Sequence, residues 1–571
     1  MKIFAGEKIR FSARKQSLLY RSITTLKDSD FLHKSVLHTD KFQASLPRLK
    51  IPPLDKTIAR YLDSQAAVLC NDELEKTKKI ANSFLVTEAP ALQYMLLEYD
   101  KANTHTSYIT KFWSDMYLAD RRPVVLTHQA MLVFKDSERG PLYQNPIART
   151  TNMIISCCRF KNSFKNNLLF PEVYHLNPKK SDTDRFRNVI RRMPNSIATY
   201  CAYMFKAFPL DMSQYKNLFN STRIPKSSVD ELQIDSEAKH VAIIKNNQIY
   251  TFDVMDDQGC IIAAEQILSN VAHIYNLPKT KGPGIGVITA MPRDQAATAR
   301  HRLELLGNAE SFKAIDGALC VFCLDDTAIN DPHHYLKEVL SGPCENRWFD
   351  KSFSIITDQT GQTALTFEHS WGDGVAVLRL FNEVFKDTEA SPRISYDMLN
   401  ADKANLPTAN VRTLHWKLDE QLEKEILPEA VRKYDQWRGK LDLRSAQVKD
   451  KLTKETCKHN GLSPDAVMQL LMQLANDKVH SRPSPTYESC STAAFKHGRT
   501  ECLRSATVQT RKFVESMRNA DQHSKSDLLA MLKQCSEKHN QLTKEAAMGQ
   551  GRYSLIDRRC IFGRPAAFHP V

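Results

Sequence analysis

Apolar positions recur along this chain at two spacings. Asp55–Leu69, Leu92–Tyr99 and Ile109–Leu118 repeat them at helical intervals. Just before these, Leu46-Pro-Arg-Leu-Lys-Ile-Pro-Pro-Leu54 is held extended by its prolines and opens the folded region. Strand-like runs follow at Pro123–Phe134, His240–Ile244, Ile249–Val254, Gly286–Ala290, Ala318–Leu324 and Ser352–Thr357. Between and after them, helical periodicity returns at Gln258–Ile274, Gln295–Leu306, Gly374–Phe385 and Leu418–Leu441. Strands interleaved with helices, without an internal repeat, predict an α/β or α+β body.

The 571 residues, 42% hydrophobic and 25% charged, exclude fibrous and wholly disordered classes. No run of about 18 apolar residues provides a membrane span. A formal charge of +14 would suggest an anionic partner if it were spread evenly. Most of it falls at the two ends instead. Lys2, Lys8, Arg10, Arg14, Lys15, Arg21 and Lys27 stand against Glu7 alone, and Arg552, Arg558, Arg559 and Arg564 against Asp557. The nearly neutral body gives no support to nucleic-acid binding. The basic, acid-poor residues 1–27, with Ile3, Phe4, Ile9, Phe11, Leu18 and Leu19 interspersed, read as a mitochondrial transit peptide.

Three further segments invite a chemical reading. Thirteen cysteines, an odd number at irregular spacing, point to a reducing compartment. Cys320-Val-Phe-Cys323 lacks a second pair and sits in an alternating apolar run, so both thiols are expected buried on a strand. Gly282-Pro-Gly284-Ile-Gly286 precedes an expected strand, whereas a nucleotide loop must open a helix, so it reads as a turn. Leu176–Leu210 joins Lys179, Lys180, Arg185, Arg187, Arg191 and Arg192 to Ile197, Tyr200, Tyr203, Met204 and Phe205. Such a segment suits either a membrane interface or a solvated helix followed by a core helix.

The densest chemistry lies at Glu368-His-Ser-Trp-Gly-Asp-Gly374. Leu365, Phe367 and His369 alternate onto one strand face. Gly372 and Gly374 then end the strand and start an amphipathic helix, so His369 stands where a rigid scaffold meets a turn. Histidine is suited to general-base work because its ordinary pKa of about 6.5 lies near physiological pH. Asp373 is close enough in sequence to orient or compensate the ring.

This wording resembles the catalytic motif of the carnitine/choline acyltransferase family, whose His in H-S-W-G-D-G removes a proton. The resemblance extends to Leu46–Leu54, Phe112-Trp-Ser-Asp-Met-Tyr-Leu118, Pro209–Tyr215, Phe219-Asn-Ser-Thr-Arg-Ile-Pro225 and Asn346–Lys351. Leu462–Asp465, Thr486–Ser491 and Lys496–Glu501 also look like family blocks, and the match covers roughly residues 46–551. Within the family it is to the long-chain, mitochondrial branch.

The resemblance implies reversible acyl transfer between coenzyme A, as substrate rather than cofactor, and carnitine, with His369 and Asp373 catalytic and no metal required. The coenzyme site would fall at Thr453–Asp465, with Thr453, Lys454, Lys458, Ser463, Pro464 and Asp465. On a helix, Lys454 and Lys458 share one face and can meet one phosphate. Carnitine would meet Tyr487, Ser489 and Thr500, with Arg499 beside them. Chain-length preference stays open. Residues 176–210 match a membrane-associating insert, implying a peripheral place on the matrix side of the mitochondrial inner membrane.

The implied architecture is two lobes resembling chloramphenicol acetyltransferase with a tunnel at their interface. Residues 111–404 would form the catalytic-histidine lobe, and 46–110 with 405–551 the lobe carrying the coenzyme A and carnitine sites. Residues 552–571 do not resemble the family's continuation, which supplies an F-D-R-H-L run, an S-T-S run and a D-G-F-G-x-G-Y run. The second lobe is therefore expected to be incomplete, and a catalytically impaired binding or regulatory isoform is the alternative function.

Overall fold

The computed structural model describes residues 26–400, 406–446 and 452–550. The expected leader falls, but for its last two residues, outside them, as does the divergent tail at 552–571. Two compact units are present. Unit 1 comprises Met1–Ala44, Ser114–Ala207 and Met212–Ser445; unit 2 comprises Ser45–Trp113, Phe208–Asp211 and Ala446–Val571.

Unit 1 is built on a seven-stranded mixed sheet. Its strands are β1 (Gln129–Val133), β2 (His240–Lys245), β3 (Gln248–Asp253), β4 (Val321–Leu324), β5 (Phe353–Thr357), β6 (Thr363–Glu368) and β7 (Arg412–Thr413). The spatial order is β1-β6-β5-β4-β2-β3-β7. The two inner pairings, β2 with β4 and β4 with β5, are parallel; the pairings around them are antiparallel. Alternate residues of these strands enter two cores, so the sheet is the middle of three layers. Val241, Ile243, Phe322, Phe353, Ile355, Leu365 and Phe367 face one core. There they meet the helices α1 (Pro146–Lys165), α2 (Ala264–Tyr275) and α4 (Gly374–Ala390). Ala242, Ile244, Val321, Cys323, Ile356 and Ala364 face the other, against α3 (Arg293–Leu303), α5 (Leu427–Gly439) and the turn Ile285–Ala290. Burial on both faces explains why these strands read as nearly continuous apolar runs.

Cys157 and Cys158 on α1, and Cys320 and Cys323 at β4, are all buried. Burial pushes the Cys323 thiol up to about 12, so these cysteines are packing groups. Residues 406–445 run with unit 1, because β7 pairs with β3 and α5 fills the second core.

Two expected strands differ. Gly286–Ala290 forms a 3-10 helix, Ile285–Ala290, entered through Gly284 at φ 68°. A Cβ on Gly286 would lie 2.2 Å from the Arg347 carbonyl oxygen, so the backbone is drawn into a contact no strand partner makes. The turn reading of these glycines holds, although the strand invoked for it is absent. In Pro123–Phe134 only Gln129–Val133 is strand. Leu126 sits at φ 61°, and the His128 N–H donates to the Val124 carbonyl, so the first half is a turn.

The segment 176–210 begins with the short helices Pro178–Ser181, Asp184–Arg192 and Ala198–Met204. Phe186, Ile190, Ala198 and Ala202 pack with Leu37 and Phe42, anchoring the segment to unit 1. Lys41 Nζ donates to the Met193 carbonyl at 2.6 Å. Leu176, Ile197, Tyr200 and Met204 stay exposed, Met204 at 85%.

Unit 2 contributes helices Leu54–Ala66, Asn71–Val86 and Ala89–Ala102 from its first portion. Its last portion carries α6 (Lys454–His459), α7 (Pro464–His480), α8 (Val508–Arg518) and α9 (Lys525–Ala547), with a two-stranded sheet of β8 (Glu488–Ser491) and β9 (Thr500–Leu503). Leu470, Phe513, Val514 and Cys535 join α7, α8 and α9 in one core.

Candidate active site

In unit 1, His369 follows directly on β6. Its N–H donates to the His128 carbonyl at 2.8 Å, extending the β6–β1 pairing to the histidine itself. The Tyr117 ring stacks on the imidazole, with centroids 5.2 Å apart and planes 8° from parallel. The ring thus has a backbone anchor and a flat platform.

The turn after His369 is pinned from several sides. Trp371 is buried and donates through Nε1 to the Ser352 carbonyl at 2.8 Å, while its own carbonyl accepts from Asn217 at 3.1 Å. Asp373 stands at the N-cap of α4. Gln214 clasps it twice: Nε2 donates to Asp373 Oδ2 at 3.0 Å, and Oε1 accepts the Asp373 N–H at 2.7 Å. Asp373 Oδ1 lies 3.9 Å from His369 Nδ1, beyond a hydrogen bond but close enough to compensate an imidazolium.

Beneath the turn lies a buried ion cluster. Glu368 accepts from the Ser370 N–H at 2.9 Å and from Arg223 Nη1 at 3.1 Å. Arg223 also donates to Asp230 at 2.7 Å and to the carbonyls of Tyr117 at 2.8 Å and Asp120 at 3.2 Å. Arg293 joins Asp230 at 2.6 Å to Asp350 at 2.7 Å. Burial pushes the Asp350 carboxyl up to about 6 against the pull of Arg293. Near the Tyr117 platform, Asp120 meets His128 Nε2 at 2.8 Å. Burial opposes ionisation of Asp120, but hydrogen bonds from His128 and Arg122 hold its carboxyl well below the usual range.

The remaining candidates lie in unit 2. Thr453 caps α6, its hydroxyl accepting the Thr456 N–H at 3.1 Å. Lys454 and Lys458 are exposed one turn apart on that helix. Ser463 caps α7 and accepts the Ala466 N–H at 3.3 Å; Pro464 and Asp465 are its first two residues. Asp465 meets His539 Nε2 on α9 at 2.9 Å. Across the β8–β9 pair, Ser489 opposes Cys502 and Ser491 opposes Thr500, so Ser489 and Thr500 share a face. Tyr487 precedes the strand and is exposed, while Thr500 and Arg499 are buried.

The structure therefore brings His369 and Asp373 together, the two lysines together, and Ser489 onto a face with Thr500. Sequence reasoning missed Tyr117, Gln214, Glu368 and Arg223 as parts of the site. Tyr117, Gln214 and Arg223 lie in family-like blocks, but no local pattern ties them to His369. The one compact group with metal-ligand chemistry among the described residues is Asp465, Glu488 and His539. Within it, His539 and Asp465 are hydrogen-bonded to each other.

A profile of the family described as Choline/Carnitine o-acyltransferase matches residues 49–556. The chain is similar to carnitine O-palmitoyltransferase 2, mitochondrial, of Xenopus tropicalis, with 43% identity across 92% of this chain and 79% of that one. The human protein of that name is 43% identical across 91% and 79%. A putative mitochondrial carnitine O-acetyltransferase of Saccharomyces cerevisiae is 29% identical across 89% and 79%.

Proposed function

Because this chain belongs to the choline/carnitine acyltransferase family, we propose that it moves long-chain acyl groups between carnitine and coenzyme A, with His369 as general base. The observation that carries the catalytic role is the mounting of His369, with its N–H on the His128 carbonyl and its ring on Tyr117. A base held this way loses little conformational freedom on reaching the transition state.

In the direction from coenzyme A to carnitine, His369 accepts the proton of the carnitine hydroxyl as its oxygen attacks the thioester carbonyl. The tetrahedral intermediate collapses by breaking the carbon–sulfur bond, and the imidazolium returns its proton to the leaving thiolate. In reverse, the thiol is deprotonated and attacks the acylcarnitine ester. Neither direction passes through an acyl-enzyme. Asp373, 3.9 Å from Nδ1, compensates the imidazolium while it exists.

Coenzyme A is assigned to Thr453, Lys454, Lys458, Ser463, Pro464 and Asp465. The hydroxyls of Thr453 and Ser463 serve as helix caps, which leaves the exposed lysines as phosphate partners and Asp465 as acceptor for the adenine amino group. Carnitine is assigned to Tyr487, Ser489 and Thr500. The palmitoyltransferase names of relatives at 43% identity support a long-chain substrate, and their mitochondrial names support that compartment. Among the described residues no helix is long and apolar enough to cross a membrane. Exposed Leu176, Ile197, Tyr200 and Met204, near Lys179, Lys180, Arg185, Arg191 and Arg192, support peripheral attachment to the matrix face of the inner membrane.

The test is palmitoyl transfer from palmitoylcarnitine to coenzyme A by the purified full chain. Turnover is expected, with a loss of about 10²- to 10⁴-fold in His369→Ala at unchanged fold. Absence of turnover by soluble, folded protein, or full turnover by His369→Ala, refutes this reading.

A further inference from the structure

Unit 2 holds a titratable cluster that the reaction above leaves unexplained. Asp465 of α7 and His539 of α9 meet at 2.9 Å, the imidazole Nε2–H donating to the carboxylate. Glu488 of β8 completes the group, with one side-chain ligand atom from each of the three within 4.8 Å of the other two. The strand's alternation sorts its side chains. Cys490 points toward α9, its Sγ 3.7 Å from the Thr543 carbonyl, and Glu488 shares that face. Ser489, itself exposed, projects from the opposite face. Glu488 Oε2 is buried, and among the described residues no donor reaches it.

We propose that Asp465, Glu488 and His539 form a positioning triad that ties the adenine acceptor to the strand carrying the carnitine hydroxyls, so that coenzyme A and carnitine bind cooperatively. This rests on the assignment of Asp465 to adenine and of Tyr487 and Ser489 to carnitine given above.

The physical argument is that a half-buried carboxyl so close to a second, exposed one does not ionise cheaply. Burial first, and Asp465 second, push the Glu488 carboxyl up to about 8. At neutral pH Glu488 therefore carries a proton and sits uncharged beside Asp465, which His539 holds at 2.9 Å. The groups facing Glu488 are Asp465 from α7 and His539 from α9. Cys490 lies on its own strand, with Glu501 of β9 opposite Cys490. An adenine amino group on Asp465 is then felt at Glu488, the residue between Tyr487 and Ser489. Above about pH 8 Glu488 ionises, the two carboxylates repel and the tie is cut.

The experiment is calorimetric titration of the full chain with coenzyme A from about pH 6.5 to about pH 9.5, with and without L-carnitine. The wild type is expected to lose about tenfold in affinity for coenzyme A across that range, the equivalent of one pKa unit of linkage. L-carnitine should tighten coenzyme A several-fold at low pH and not at high pH, and coenzyme A should tighten carnitine by the same factor. Glu488→Gln, which is uncharged and cannot ionise, is expected to hold affinity and cooperativity constant with pH. A pH-independent wild type, or a pH step that survives in Glu488→Gln, overturns the triad. Coenzyme A binding that Asp465→Asn leaves unaltered overturns the adenine assignment and the triad with it. Weakened binding in Asp465→Asn, together with a persistent step in Glu488→Gln, overturns the triad alone.

Discussion

Replacing Arg223 by leucine tests whether the catalytic turn rests on buried charge. Arg223 is 0% exposed. Its loss leaves Asp230 compensated, because Arg293 at 2.6 Å and Arg121 at 3.0 Å remain. Glu368 is different: Arg223 is its only ion-pair partner among the described residues, and what remains is Ser370. A buried carboxylate stranded in this way has two options. Remaining charged costs about 3–5 kcal/mol, the usual penalty for breaking a buried pair. Accepting a proton at pH 7 costs about 1.4 kcal/mol for each pH unit above an ordinary glutamate pKa of about 4.3, or roughly 3.7 kcal/mol. The two routes agree, so Arg223→Leu should destabilise unit 1 by about 4 kcal/mol. The carbonyls of Tyr117 and Asp120, which lose their donors, can only add to it. Urea unfolding followed by tryptophan fluorescence at pH 7 measures the effect. Arg223→Leu combined with Glu368→Gln, which removes the stranded charge, should recover at least about 2 kcal/mol. A single-variant loss below about 1 kcal/mol, or a double variant no more stable than Arg223→Leu, refutes the reasoning.

Gly286→Ala should cost about 3 kcal/mol or more, because its Cβ would sit 2.2 Å from the Arg347 carbonyl oxygen and 2.8 Å from that of Cys344. Chemical denaturation measures it, and a neutral effect would show that the turn is not held by that contact. Lys351 is buried with its ammonium against backbone carbonyls, and burial lowers its pKa from 10.5 to about 7. Between those values unfolding takes up a proton, so wild-type stability should rise with pH relative to Lys351→Met from about pH 7 to about pH 9. Melting curves of the two proteins across that range should diverge in that direction, and parallel curves would refute it. Lys454→Met and Lys458→Met should each raise KM for coenzyme A about fivefold, with less effect at high salt and little change in kcat, if the exposed lysines meet phosphate. Equal KM values across the three proteins would exclude them.

Much of unit 1 was legible because its strands are buried on both faces. Ala318–Leu324 is apolar without interruption, Ser352–Thr357 carries Phe353, Ile355 and Ile356, and helical spacing returns between and after the strands, so a body of mixed strands and helices followed. The same logic failed at Gly286–Ala290. A short apolar run says that a segment is buried, not which backbone buries it, and here a 3-10 turn pressed against Arg347 does so. Pro123–Phe134 failed similarly, since nothing local announces Leu126 at positive φ. His369 and Asp373 were visible because they lie four residues apart in a turn marked by Gly372 and Gly374, within a wording that matched a known family.

What the chain did not disclose is the support beneath them, and the reason is distance along the sequence. Arg223 meets Glu368 across 145 positions and the Tyr117 carbonyl across 106. Neither partner looks unusual by itself. An arginine among polar neighbours reads as surface, and a glutamate at a strand end reads as solvated. The choice of ions for this place is informative, because apolar residues of equal volume often support a fold as well as a buried ion cluster does. Apolar packing, however, is indifferent to small shifts of one backbone against another, whereas a guanidinium with fixed donor directions is not. A single Arg223 side chain binds the backbone under the ring platform at Tyr117, the backbone at Asp120 and the carboxylate that precedes His369. It therefore locks the platform and the base into one register. If that is why the charges are there, an Arg223→Leu/Glu368→Leu double variant should recover stability without recovering kcat, whereas charges that serve stability alone would allow both to return together.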